Sequence, residues 1–151
     1  MAVRKRVFDA GFSFNPNIGP NGRNYVMGSE SEFLYRTAEA GYRGIYLPNA
    51  VVHHQIRREQ LTLNWLAGRA FRQGKGSIAI KSTADERPFK MLLGAPRFLY
   101  RKAMMAYLLN YLNLFTLNKK KRFHHLLFYH YYKGQLAQYK SMSKEKSPGI
   151  R

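Results

Sequence analysis

The sequence has no cysteine, which excludes a disulfide framework, a thiolate metal site and a cysteine nucleophile. Acids are scarce as well: Asp+Glu 8 stand against Lys+Arg 26, a formal net charge of +18. Self-repulsion on that scale opposes a compact state and calls for an anionic partner, whether lipid, nucleic acid or a phosphorylated substrate. The only aspartates are Asp9 and Asp85, so there is no Asp-x-Asp pair to hold Mg²⁺ or Mn²⁺ on a diphosphate. Gly-x-Ser-x-Gly, His-Glu-x-x-His, a Walker loop and a dinucleotide fingerprint are also missing, which removes the chemistry those motifs carry. The longest uncharged run, residues 103–118, is broken by Asn110 and Asn113 and falls short of the roughly 20 apolar residues that span a bilayer. Met1-Ala-Val-Arg-Lys-Arg leads to polar Phe14-Asn15-Pro16-Asn17 without the apolar stretch of a signal peptide, so secretion is not expected.

What is present is enough for a packed core: 151 residues, 45% of them hydrophobic, suit one domain of ordinary size. Composition divides the chain into three zones. Residues 1–56 hold Asp9, Glu30, Glu32 and Glu39 and most of the turn-forming Gly, Pro and Asn. Residues 57–87 show a helical pattern through Leu61, Trp65, Leu66 and Ala70, closed by Gly74-Lys75-Gly76, then a polar connector ending at Arg87-Pro88. Residues 88–151 are rich in aromatics, Leu and Lys, with Glu145 the one acid, which marks an anion-facing module. Within the first zone a short helix is predicted over 3–10, ending at Gly11, followed by a turn-rich loop over 15–22. A helix over 29–40 follows, with Phe33, Leu34, Thr37 and Ala38 on one face and Gly41 as its stop. Two short strands, 44–47 and 50–53, come next, separated by Pro48-Asn49.

Ser29-Glu30-Ser31-Glu32 places two carboxylates in the first turn of that helix, where the positive end of the dipole favours acids and an ionised carboxylate can act as a base. Ser29-x-x-Glu32 also has the form of a capping box, a structural duty for Glu32 that leaves Glu30 facing whatever sits at the helix N-terminus. In Val51-Val52-His53-His54, strand alternation would send the two rings to opposite faces. At most one faces a given site, and an imidazole at a strand end suits a divalent metal or ordinary packing. Arg69 follows Trp65 by four residues and Arg72 lies one turn on, a set that clamps a phosphate, stacks on a base or snorkels at a core boundary. Arg72-Gln73-Gly74-Lys75-Gly76 lacks the Walker spacing and is discounted as a nucleotide loop.

Four segments in order carry a resemblance: Phe12-x-Phe14 to Gly19-Pro20; Gly28-Ser29-Glu30-Ser31-Glu32-Phe33-Leu34-Tyr35-Arg36; Ala40-Gly41-Tyr42-Arg43; and Tyr46-Leu47-Pro48-Asn49-Ala50-Val51-Val52-His53-His54. Together they resemble the acceptor-side half of family-2 inverting glycosyltransferases, over roughly residues 1–76, about half of the chain. The resemblance implies an α/β class, part of a GT-A fold, followed by a basic helical C-terminal module. It puts Glu30 where the family's helix-start motif, usually Glu-Asp-x-Glu, carries its general base, with Glu32 beside it, and His54 where the family's closing histidine helps hold a metal. Arg69 and Arg72 become candidates for the cofactor phosphates. Implied partners are a nucleotide-sugar donor and a glycan or lipid-linked acceptor, with Mg or Mn in the intact enzyme. The family's donor half, with its Asp-x-Asp, has no counterpart in this sequence. A truncated, split or degenerate product is therefore expected, with little or no transfer, and only weak metal binding, by the chain alone. A separate donor-binding chain is one way to complete it.

The third zone reads as one helix over 97–116 whose apolar residues Phe98, Leu99, Met104, Tyr107, Leu108, Tyr111, Leu112 and Phe115 go round all sides, so it is either buried or in lipid. Arg101-Lys102 before it and Lys119-Lys120-Lys121-Arg122 after it suit an anionic leaflet. Residues 123–139, with His124, His125, His130 and several Tyr, have the composition of a bilayer interface. A peripheral place on the cytoplasmic membrane face is expected, against a plain two-helix packing unit. The rival class is a non-catalytic basic protein at a membrane or on nucleic acid, since +18 with 15% aromatics also fits backbone neutralisation plus stacking. No recognised nucleic-acid motif accompanies that charge, and specific nucleic-acid binding is not expected.

Overall fold

The computed structural model describes residues 1–20, 22, 25–81, 89–115 and 118–145. The chain runs through α1 (Lys5–Asp9), α2 (Ser29–Glu39), a 3₁₀ turn (Arg58–Leu61), α3 (Leu63–Lys81), β1 (Met91–Leu92), β2 (Ala95–Pro96), α4 (Arg97–Phe115) and α5 (Lys119–Glu145). The class is mixed but rich in helix. Among the described residues the sheet is a single antiparallel hairpin, Met91 opposite Pro96 and Leu92 opposite Ala95. Leu93 and Gly94 turn it with φ of 46° and 79°, the pair of positive angles that a two-residue hairpin turn of the primed type needs.

Local chemistry sets the helix ends. Thr62 Oγ1 accepts from the Trp65 N–H at 3.3 Å and Asn118 Oδ1 accepts from the Lys121 N–H at 3.0 Å, so α3 and α5 each begin on a side-chain cap. Gly41, with φ of 86°, follows α2, as its position in the sequence predicts. Of the residues assigned to one face of α2, Phe33 and Thr37 are buried, whereas Leu34 and Ala38 face outward. Phe33 is 1% exposed, with its ring stacked on Phe14 at 4.6 Å and on Phe8 at 5.8 Å. The Phe12-x-Phe14 motif thus serves packing: Phe14 covers Phe33 and Phe12 meets Tyr42 edge-on at 5.6 Å.

Helix α5 lies between α3 and α4, and its contact with α3 is made backbone to backbone. A Cβ on Gly74 would overlap the Tyr131 carbonyl, and one on Gly134 would overlap the Phe71 carbonyl. Gln135 adds a polar link, donating through Nε2 to Ser77 Oγ at 3.0 Å. Gly76, two residues from Gly74 and so on the other side of the helix, has its missing side chain filled by the Met27 carbonyl. The sequence predicts a helix end at these glycines, and the structure has none there. Gly74-Lys75-Gly76 does not close α3, which continues to Lys81; the glycines are retained inside the helix because two neighbours approach it more closely than any Cβ permits.

One further expectation changes. Residues 44–47 and 50–53 are not strands: Ile45, Tyr46 and Val52 are 74%, 88% and 86% exposed. The backbone bond among residues 44–53 is the turn contact from Ala50 N–H to Leu47 O at 3.1 Å. Their composition favours a strand, but a ladder needs a neighbouring edge, and no other described strand pairs with them. Residues 123–139 lie within α5, with Gly134 buried, Tyr131 and Tyr132 half-buried, and Phe123, His124, Phe128 and Lys133 exposed. The polar connector ending at Arg87-Pro88 and the end of the 97–116 helix at Thr116 lie outside the described residues.

If the glycine crossing holds the bundle together, Gly74→Ala and Gly134→Ala should each lose about 2 kcal/mol in urea denaturation. That loss is expected despite the gain of up to about 1 kcal/mol that alanine brings to a helix. Gly44→Ala, with open space around it, should stay within about 0.5 kcal/mol of the parent. Equal effects at all three positions would contradict the account.

Candidate functional site

Helix α2 starts at Ser29 behind Gly28, which sits at φ of 116° with its α-carbon facing Ile80 of α3. That left-handed glycine replaces the expected capping box: no side-chain cap bond is made, and Glu32 does not reach back to Ser29. Glu32 turns instead towards Arg36 one turn on. Arg36 Nε donates to Glu32 Oε1 at 2.5 Å and its Nη2 donates to Oε2 at 3.1 Å, the two-pronged geometry that suits guanidinium and carboxylate. Nη2 also donates to the Ser13 carbonyl at 2.6 Å, tying α2 to the loop before it. The bond to Glu32 raises the Arg36 pKa above its ordinary value. Glu32 is buried and committed to this pair.

Glu30 is exposed, and among the described residues it makes no ion pair. It stands on the wall of a groove of about 1010 Å³ between the start of α2 and the α3–α5 crossing, lined also by Ile18, Arg69, Gln73, Ser77 and Tyr131. The groove exists because Gly76 lets the Met27–Gly28 strand of backbone lie directly on α3, with Met27 N–H donating to the Arg72 carbonyl at 3.4 Å. Arg69 stacks on Trp65 with 5.5 Å from its guanidinium carbon to the ring centre, as the four-residue spacing implies.

Arg72 does not join Arg69. It belongs to a second cavity, about 490 Å³, lined by Leu63, Asn64, Phe71, Leu126 and His130 among others. Its guanidinium lies 5.1 Å over the Tyr25 ring, and its Nε is buried without a hydrogen-bond partner among the described residues. Burial, with Lys133 nearby, pushes the His130 imidazole below its ordinary range. His53 and His54 line neither cavity; both are exposed in the extended segment. Among the described residues no three of His, Asp and Glu converge. The structure therefore groups Glu30 and Glu32 with Arg69, and leaves Arg72 and His54 elsewhere.

Four participants escape a reading by sequence: Arg36, Gln73, Ser77 and Tyr131. The Glu32–Arg36 spacing of four was a visible signal for the first. The other three come from the tertiary crossing and carry no local mark. Comparison of the chain with protein-family models, with curated proteins and with solved structures finds no match.

Two outcomes follow. Glu32→Gln should cost about 1–2 kcal/mol of stability, because it leaves Arg36 without its carboxylate, whereas Glu30→Gln should cost under about 0.5 kcal/mol; chemical denaturation of both variants separates them. For His130, the folded state binds fewer protons than the unfolded state. Its contribution to stability is therefore full above the ordinary imidazole range and fades as pH falls through it. Titration of the His130 ring protons by NMR should give a midpoint below the ordinary imidazole range, and a midpoint above that range would contradict the burial argument.

Proposed function

We propose that the chain supplies the acceptor side of an inverting glycosyltransferase of the GT-A type, with Glu30 as the general base. One observation carries the reading: of the two carboxylates in the first turn of α2, Glu32 is held by Arg36, while Glu30, without an ion pair among the described residues, stands on the wall of a groove large enough for a sugar chain. The ordered resemblance over residues 1–76 supports it from the sequence side. The acceptor is a glycan or a lipid-linked sugar, whose hydroxyls find mixed partners in Arg69, Gln73, Ser77 and Tyr131.

The step is a single displacement. Glu30 takes the proton of the acceptor hydroxyl, and the oxygen's electron pair forms the new bond at the anomeric carbon. The bond from that carbon to the nucleotide diphosphate breaks on the opposite face, so the configuration inverts. For this the carboxylate must come within about 2.6–3.2 Å of the hydroxyl. The donor half of the site is brought by residues outside this sequence, either a further segment or a separate chain, because no Asp-x-Asp occurs here.

A divalent cation would neutralise the leaving diphosphate in such a reaction. The residues described here do not fit one by themselves: His54 offers a single imidazole in an exposed segment, and no cluster forms around it. Arg72 lines the other cavity, apart from Glu30.

In the transferase assembled with its donor-binding segment, Glu30→Gln should lower turnover by roughly 10²–10⁴-fold with acceptor binding preserved. The chain alone should transfer little. Parent-level turnover by the Glu30→Gln enzyme would remove Glu30 as the base, and full turnover by the isolated chain would show that the donor is held within these 151 residues.

A further inference from the structure

Helix α4 is built inside out. The side packed on α5 and the hairpin carries Leu99, Ala103, Ala106, Asn110 and Asn113, mostly small or polar. Asn110 Oδ1 is buried there without a hydrogen-bond partner among the described residues, and Asn113 donates to the Leu109 carbonyl at 2.5 Å. The side turned away carries Met104, Met105, Leu108, Tyr111, Leu112 and Phe115, all exposed. Their successive spacings of one, three, three, one and three residues are those of a single helical stripe. Leu112 is 56% exposed and Phe115 73%. A helix designed for water puts its large apolar side chains on the packed face, so a contiguous stripe on the outer face marks a surface that something else covers.

The charges say what covers it. Arg97 and Arg101 lie on the same outer face at its N-terminal end, and Lys119, Lys120, Lys121 and Arg122 begin α5 just beyond its C-terminal end; all six are exposed. From residue 87 to residue 144 the chain has no Asp or Glu. A second copy docked through this face would set these cation clusters against each other with no carboxylate between them, since a two-fold interface meets its own patch. An apolar stripe between two cation clusters matches an anionic bilayer, with side chains entering the acyl boundary and cations in the headgroups. From Met104 to Phe115 the stripe is about 17 Å long, against a hydrocarbon core of about 30 Å. No described helix is long and apolar enough to cross a membrane, and α4 lies along the surface.

We propose that the outer face of α4, flanked by Arg97 and Arg101 and by residues 119–122, docks this protein flat on an anionic membrane surface. The inference is independent of the sugar-transfer reading and stands if Glu30 proves to have no catalytic role.

The test uses the full chain and vesicles of phosphatidylcholine with or without about 30% phosphatidylserine. Sedimentation should show binding to the anionic vesicles and little to the neutral ones. Leu108→Glu with Leu112→Glu should weaken that binding by at least about tenfold, and changing residues 119–122 to Gln by on the order of a hundredfold. Because the chain has no cysteine, a polarity-sensitive dye on Leu108→Cys reads insertion directly without adding charge. Its emission should shift to the blue on anionic vesicles, while the same dye on Arg58→Cys should not. The proposal is overturned by equal binding of the parent and the Leu108→Glu/Leu112→Glu variant, or by a silent dye on Leu108→Cys. A dimer that light scattering shows to dissociate in the same double variant would give the face to a second copy instead. Binding to oligonucleotides with none to vesicles would give the charge to nucleic acid.

Discussion

The backbone contact between α3 and α5 is the constraint from which the remaining geometry follows. Gly74 and Gly134 remove the side chains that would hold the two helices apart, so main-chain atoms pack directly and the axes come closer than larger residues would allow. Two positions along, Gly76 does the same on the far side of α3 for the Met27 carbonyl. One helix is thus approached at backbone distance from two directions. Glycine is the least favourable ordinary residue in a helix interior, at about 1 kcal/mol relative to alanine, and the contacts on both sides offset that cost.

The candidate site inherits its shape from this arrangement. Because Met27 and Gly28 lie on α3, the first turn of α2 projects beside the α3–α5 crossing, and the groove opens between them. Glu32 and Glu30 are two residues apart and so point to different sides of α2. Glu32 faces inward and binds Arg36, which also holds the Ser13 carbonyl. Glu30 is left on the open side. In the proposed reaction, the difference between a structural acid and a reactive one is a difference of direction along one helical turn. The proposed chemistry depends on it more than on any property of the carboxylates themselves.

Much of the local structure was legible in the sequence, because it rests on local causes. The stop at Gly41, the helices over α1 and α2 and the Trp65–Arg69 stacking all follow from spacing and backbone preference. What failed were inferences in which one local signal had two meanings. Gly74 and Gly76 read as a helix terminus, yet the same residue type serves close packing, and only the partner backbone distinguishes the two uses. Ser29-x-x-Glu32 matched a capping box, but an arginine four residues further along competes for the same carboxylate. The runs at 44–47 and 50–53 have strand composition, and a strand exists only with a neighbour to pair with. The hairpin at Met91–Pro96 was invisible for the opposite reason: its strands are two residues each, too short for alternation to show.

The central claim is that the groove beside Glu30 receives a sugar acceptor. The most direct measurement is an amide NMR titration of the ¹⁵N-labelled chain with a neutral oligosaccharide. The account requires shift changes concentrated at Gly28 to Glu32, Arg69, Gln73 and Tyr131, saturating with ligand and absent from residues 119–122. Shifts confined to the basic residues at the start of α5, or none at the groove at any accessible concentration, would contradict it.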